Sequence, residues 1–290
     1  EHLERALQRL PPLRRQLPHT GIDLEIEIRL TLGWALWLLG YPDQAIASAQ
    51  QAAQTATERQ DPNSCTVALV YLFNVHHLRG EYDLAAARAR ELQAVGDEYD
   101  LYLPKRTGLI MEAAALMEQG ELDRAVWRLL ESEATEGAAG LQQVVRTYYL
   151  GRVAANCVCV GTPEQGLALA GEALERIQAT GFATSKAEIR RIQGELLQLL
   201  EPEAMARYAG EWGSEPEAAA EWCFQQALEI ARSQGARAWE LRAAVSRARL
   251  WNRQGRRGEA QQQLADIYSQ YSEGVATADL REAAAVLEHR

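Results

Sequence analysis

Strand signals are almost missing from this 290-residue chain: no segment alternates apolar and polar side chains over more than a few positions between turn residues, so a sheet has nothing to form from. Proline is scarce, with nine residues, and leaves long stretches free of the strongest helix breaker. The four cysteines, Cys65, Cys157, Cys159 and Cys223, lie in apolar helical stretches without framework spacing, which argues against a disulfide-stapled fold and for buried free thiols. Cys157 and Cys159 are two apart, about 200° around a helix axis, and cannot share a metal there. The longest apolar run, at 30–40, is about half the length needed to cross a bilayer, and no charged-then-apolar leader precedes it, so a cytoplasmic location is expected. Phosphate-binding signatures are missing too: there is neither a G-x-x-x-x-G-K-[ST] loop nor a G-x-G-x-x-G after a strand. The five histidines, His2, His19, His76, His77 and His289, give no three-ligand cluster, serines lack a nucleophile-elbow context, and carboxylates are spread along helix faces. No catalytic residue, cofactor or metal is expected, and the chain does not read as an enzyme. A net charge of -10 opposes phosphate backbones and anionic membranes, leaving a protein or peptide partner, or upstream domains of the same chain, as the expected contact.

What is present is helix-forming. Hydrophobic residues make up 47%, and they recur at three- and four-residue spacing almost everywhere. A glycine followed five residues later by Ala or Gly marks a period: Gly40 with Ala45, Gly80 with Ala85, Gly120 with Ala125, Gly161 with Gly166, and Gly255 with Ala260. Seven residues before these glycines lie Gly33, Phe73, Ala113, Ala154 and Ala248, mostly small, so two antiparallel helices can approach closely on either side of a glycine turn. A further unit is interrupted: helices over 187–200 and 217–235, with Gly194 as the small residue, flank a Pro- and Gly-containing insertion read as a surface loop over 201–216 that could be shortened without loss of the fold. The fold expected is all-α, a right-handed solenoid of about six helix-turn-helix units at 22–60, 63–98, 104–135, 138–180, 184–235 and 236–272, with a cap at 277–289 that Thr277 or Asp279 could start. Trp34, Trp37, Trp127, Trp222, Trp239 and Trp251 all fall in helices and are expected to pack between units.

The glycine-turn-alanine pattern, and above all the A-x-x-x-F-x-x-A run at 220–227 followed by Leu228, resembles the tetratricopeptide repeat, although a period near 40 exceeds that family's 34. The stretches 32–45, 223–251 and 271–287 are similar to the C-terminal repeat region of large bacterial signalling proteins, in which a cyclase-like or DNA-binding domain and an ATPase module of the AAA or STAND type come first. The resemblance implies a non-catalytic interaction or sensor segment, or alternatively a small-molecule-binding regulatory domain. Glu1 opens directly on an amphipathic helix, and the chain is expected to be a piece of a longer protein.

In that family the first helix of each unit lines the concave face. Counting back from the turn glycines gives a stripe that is apolar and aromatic in the first four units and charged in the last two. The candidate ligand- or peptide-binding residues on it are Trp34, Trp37, Asn74, His77 and Tyr148 at the apolar end and Arg191, Arg242 and Arg249 at the charged end, a seat for a segment ending in carboxylates.

Overall fold

The computed structural model describes residues 2–8, 21–121 and 142–288. Among them the chain is helical, without an extended strand. The helices are α1 (His2–Gln8), α2 (Leu24–Leu38), α3 (Pro42–Glu58), α4 (Pro62–Arg79), α5 (Tyr82–Glu98), α6 (Tyr102–Glu118), α7 (Gln142–Val160), α8 (Pro163–Thr180), α9 (Lys186–Leu197), α10 (Pro202–Met205), α11 (Ala209–Trp212), α12 (Pro216–Gln234), α13 (Arg237–Arg253), α14 (Arg257–Tyr268) and α15 (Ala278–Glu288). The expected second helix of the third hairpin, with Ala125 and Trp127, lies outside the described residues. Among the described residues the prolines are mostly helix starters: Pro42, Pro62, Pro163, Pro202 and Pro216 occupy the first turn, where a missing N–H costs nothing. Asp23 and Asp61 cap α2 and α4 by accepting hydrogen bonds from the N–H of Glu25 at 2.9 Å and of Asn63 at 3.2 Å.

Helices pack on their neighbours in chain order, α2 on α3, α3 on α4, α4 on α5 and α5 on α6, then α7 on α8, α8 on α9, α12 on α13 and α13 on α14. The glycines at 40, 80, 120, 161 and 255 all have positive φ, between 70° and 88°, as a hairpin turn of this kind requires. The small residues around them lie where backbones meet. A Cβ on Gly33 would stand 3.1 Å from the Ala45 carbonyl oxygen, and one on Gly166 would stand 2.6 Å from a Leu196 methyl. Helix α9 packs on α12 across the insertion as the interrupted hairpin, with Gly194 against the Phe224 ring, 2.5 Å from where its Cβ would be.

The chain divides into two compact units. One comprises residues 1–137 with Glu273–Ala278; the other comprises Ala138–Ser272 with Asp279–Arg290. In the first unit, Ile26, Leu30, Ala52, Ala56 and Ala68 form a buried cluster between α2, α3 and α4. Its late segment is seated on the start of α3. Glu273 accepts from the N–H groups of Asp43 at 2.8 Å and Gln44 at 3.0 Å and from the Gln44 side-chain amide at 2.9 Å, while the Gly274 N–H donates to Asp43 Oδ2 at 3.0 Å. Gly274, at φ 78°, lies against the Pro42 ring, and Ala278 lies against Gly80. In the second unit, Ile189, Ile192, Leu196, Leu197, Leu200 and Met205 form one core cluster with α8, and Leu241, Val245, Ala248, Leu264 and Leu280 belong to another with α14 and α15.

The insertion is not the loop expected from its composition. It folds into α10, a single 3-10 turn at Ala206–Tyr208, and α11. Met205 is fully buried, and Tyr208 and Trp212 pack against the same cluster as Leu196 and Leu197. Trp212 stands edge-on to Trp222, with centroids 5.6 Å apart at 72°, and the Arg190 guanidinium lies 5.9 Å and 5.8 Å from the two rings. Trp222 is thus half exposed rather than packed between hairpins. The thiols also differ from expectation: Cys157 and Cys223 are buried, but Cys65 is only partly covered and Cys159 is exposed. Burial, opposed by Arg190 and aided by Glu211, pushes the Cys223 thiol up to about 12.

Candidate functional site

The sequence candidates fall into both units, and each set is described within its own. In the first unit, α2 carries Trp34 stacked on Trp37, with centroids 5.6 Å apart at 24°. Trp37 is 3% exposed and Trp34 partly exposed; Leu30, Gly33 and Trp37 follow one another at three- and four-residue spacing on the side where Gly33 meets α3. His77 is also in the core. It sits between Phe73 and Tyr82, with centroids 5.4 Å and 5.3 Å away, and its Nε2 is 4.0 Å from Glu118. Its neighbour His76, equally buried, holds Nδ1 2.6 Å from Glu81, which also accepts from Arg79 Nε at 2.8 Å. Burial would raise the Glu81 carboxyl, but these two partners hold it below its usual range. Asn74 is partly exposed, yet its Oδ1 is shut off from solvent without a hydrogen-bond partner among the described residues, as are Thr66 Oγ1, Tyr102 OH and Arg106 Nε on α4 and α6. Tyr148 belongs to α7, but its side chain lies outside the described residues.

In the second unit the charged residues of the expected stripe pair with one another. Glu188, Arg191 and Glu195 share one face of α9 at three- and seven-residue spacing, and Arg242, Ser246 and Arg249 share one face of α13. The two helices pack together. Arg191 grips Glu188 through two parallel bonds, Nε to Oε2 at 2.8 Å and Nη2 to Oε1 at 2.9 Å, and reaches Glu195 and Ser246 at 3.3 Å each through Nη1. Ser246 Oγ donates to Glu195 at 2.5 Å. Arg242 donates to Glu188 Oε1 at 3.1 Å and, from α15, to Asp279 Oδ2 at 2.8 Å, with its guanidinium 5.5 Å from the Trp239 ring. Arg249 pairs with Glu282 and is half exposed.

Burial alone would raise the Glu188 carboxyl, but Arg191 and Arg242, with a contribution from Arg152, bring it down to about 2. Asp279 is the opposite case: burial outweighs Arg242, and its carboxyl titrates above the usual range. Ser246 and Asp279 were absent from the sequence-derived set. Ser246 lies one turn beyond Arg242 and was legible from spacing, whereas Asp279 reads locally as a helix cap and reveals its partner only in three dimensions.

Chemically, the arrangement is a lattice of ion pairs and not a proton-transfer site. Its donors are already matched to acceptors of the chain, and Glu188 stays ionised at any physiological pH. Among the described residues no three His, Cys, Asp or Glu side chains are grouped to hold a metal, and no helix is long and apolar enough to cross a membrane. The sequence matches no protein-family model, and no curated protein matches it.

Proposed function

We propose that the chain is a non-catalytic interaction or sensor scaffold, a tetratricopeptide-like α-solenoid of about six repeats with α15 as its cap, acting in the cytoplasm as the C-terminal regulatory segment of a bacterial signalling protein. The observation that carries this reading is the contact between first helices of successive hairpins. Within the first unit α2 touches α4 and α4 touches α6; within the second α7 touches α9 and α9 touches α13. Neighbouring first helices merge their stripes into a shared surface, the arrangement by which repeat arrays present an extended binding face. Partners are a protein, a peptide or the domains upstream in the same polypeptide. Arg191 and Arg242 serve that face as parts of its frame, being bound to Glu188, Glu195 and Asp279, while Arg249, half-exposed and paired with Glu282, lies at its margin.

The test is affinity between this chain and the upstream domains of its parent polypeptide, with the Arg249→Ala variant as the probe because that half-exposed pair can be broken without unfolding. Saturable binding weakened several-fold by the substitution supports the reading. Nucleotide hydrolysis that copurifies with the monomer would refute it. A second reading, a small-molecule-binding regulatory domain, is favoured by the partnerless polar atoms of Thr66, Asn74, Tyr102 and Arg106, since buried polar groups ordinarily find a partner. A thermal shift with a metabolite, lost in Asn74→Ala, distinguishes it.

A further inference from the structure

The insertion carries a surface that the packing of the hairpins does not need. Ala204 and Met205 seat it in the core, with Tyr208 and Trp212 packed on the same cluster, yet Trp222, near the start of α12 just after the insertion, keeps 49% of its area exposed. Large exposed aromatics beside one another are uncommon on a surface that has no use for them. The partly exposed Trp212 meets Trp222 edge to face, and together the two rings already accept one planar cation, the guanidinium of Arg190. Arg190 otherwise donates to Gln193 at 2.8 Å. It lies about 100° around α9 from Arg191, so this surface is separate from the stripe that carries the proposed scaffold function.

The charge around the rings has one sign. Residues 201–222 contain six glutamates, Glu201, Glu203, Glu211, Glu215, Glu217 and Glu221, against the single Arg207. Arg207 is engaged with Glu164 at 2.5 Å, Glu217 accepts from Gln254, and Glu221 accepts from Trp251 and Arg256. The remaining four, Glu201, Glu203, Glu211 and Glu215, are exposed, and their carboxylates make no hydrogen bond or ion pair among the described residues. Glu211 directly precedes Trp212 in α11, so a carboxylate without a partner adjoins one ring of the pair along the chain.

We propose that Trp212, Trp222 and the acidic insertion form a docking surface for an arginine-bearing basic peptide of a partner protein. One guanidinium stacks on the open face of Trp222, and its neighbours pair with Glu211 and Glu215. Arginine fits better than lysine because a planar, weakly hydrated guanidinium stacks on an indole while still offering donors at its edge. The occupant is a peptide, since one cation over one exposed ring gains little and several must act together to hold a partner. Nucleic acid and anionic lipid are repelled by the same carboxylates.

The experiment is calorimetric titration of the intact chain with a synthetic peptide of four arginines spaced by Gly-Ser, alongside its all-lysine and all-glutamate counterparts. Saturable binding of the arginine peptide is expected, with the lysine form weaker and the glutamate form silent. Trp222→Ala should weaken binding about tenfold with an unchanged melting temperature, the size of effect expected for loss of a cation–ring contact at a partly desolvated site. Glu211→Gln with Glu215→Gln, which alters two exposed side chains without partners and leaves the fold alone, should weaken binding and flatten its salt dependence. Equal affinity for wild type and Trp222→Ala would show only diffuse attraction to an acidic protein and would overturn the proposal, as would equal binding of the glutamate peptide. Absence of binding to all three peptides would overturn it as well, while leaving untouched the scaffold reading, which rests on the first helices and has its own test.

Discussion

One methyl group distinguishes two glycines of the second unit. A Cβ at Gly194 would lie 2.5 Å from the Phe224 ring, which is itself fully buried, whereas the exposed Gly258 meets no described atom within 4 Å. Gly194→Ala should therefore destabilise by roughly 1 to 3 kcal/mol through overpacking, and Gly258→Ala should gain about 0.5 kcal/mol from helix propensity, with opposite shifts in melting temperature. The small-residue rule that singled out Gly194 is legible in sequence because close backbone approach tolerates few side chains. Polar partners are less legible. Glu188 and Arg191 could be paired from their three-residue spacing, but nothing local says that Arg242, 54 positions on, shares the same carboxylate. Glu188→Ala would leave two largely buried guanidiniums facing a gap and should cost roughly 3 to 5 kcal/mol by chemical denaturation. The isosteric Glu188→Gln isolates the pH dependence. A carboxyl held at about 2 when folded contributes stability that is complete above its ordinary value of 4.5 and is lost as the pH falls from there toward 2. Subtracting the Glu188→Gln stability profile from that of the wild type should show a loss in that window; a flat difference would mean that the pairing does not hold in solution. Asp279, raised by burial and in part by Glu188 itself, has the opposite sign, so the comparison is made with Asp279→Asn in both backgrounds.

Helices with apolar periodicity and a glycine turn were readable to within a few residues, since each is set by side chains three and four apart and by a turn that demands positive φ. The insertion was not. Two four-residue helices are too short to show a period, and their Pro and Gly content mimics a loop. Only packing reveals that Met205 belongs with Leu196, Leu197 and Leu200. Removal of 202–214 with a short replacement turn is accordingly expected to lower the melting temperature, and Met205→Ala by itself should cost about 2 to 5 kcal/mol. A deletion variant as stable as the wild type would show that the core closes over the lost side chain. The stripe fared unevenly for a related reason. Helical spacing identifies the residues of one face, but α2 and α4 each have neighbours on more than one side, and Trp37 and His77 are claimed by them.

The two units are not consecutive in sequence, because the first takes its last piece from residues 273–278. That piece was beyond the reach of sequence patterns, since contacts across some 230 residues leave no local trace. Gly274→Ala tests it: the residue is at φ 78° and any Cβ would meet the Pro42 ring, so the segment should lift from α3. Hydrogen exchange at the amides of Asp43 and Gln44, both held by Glu273, should then quicken by about tenfold or more while the amides of α12 and α13 keep their rates. Unchanged protection at those two amides would show that the seat is not occupied in solution. On the ribosome the same connectivity sets a delay. At ordinary elongation rates, roughly 7 to 27 s separate the emergence of Gly137 from that of Glu273. Throughout that interval the nascent first unit must hold α3 with its leading amides lacking their acceptor, so its maturation waits for the 273–278 segment rather than for the arrival of its own hairpins.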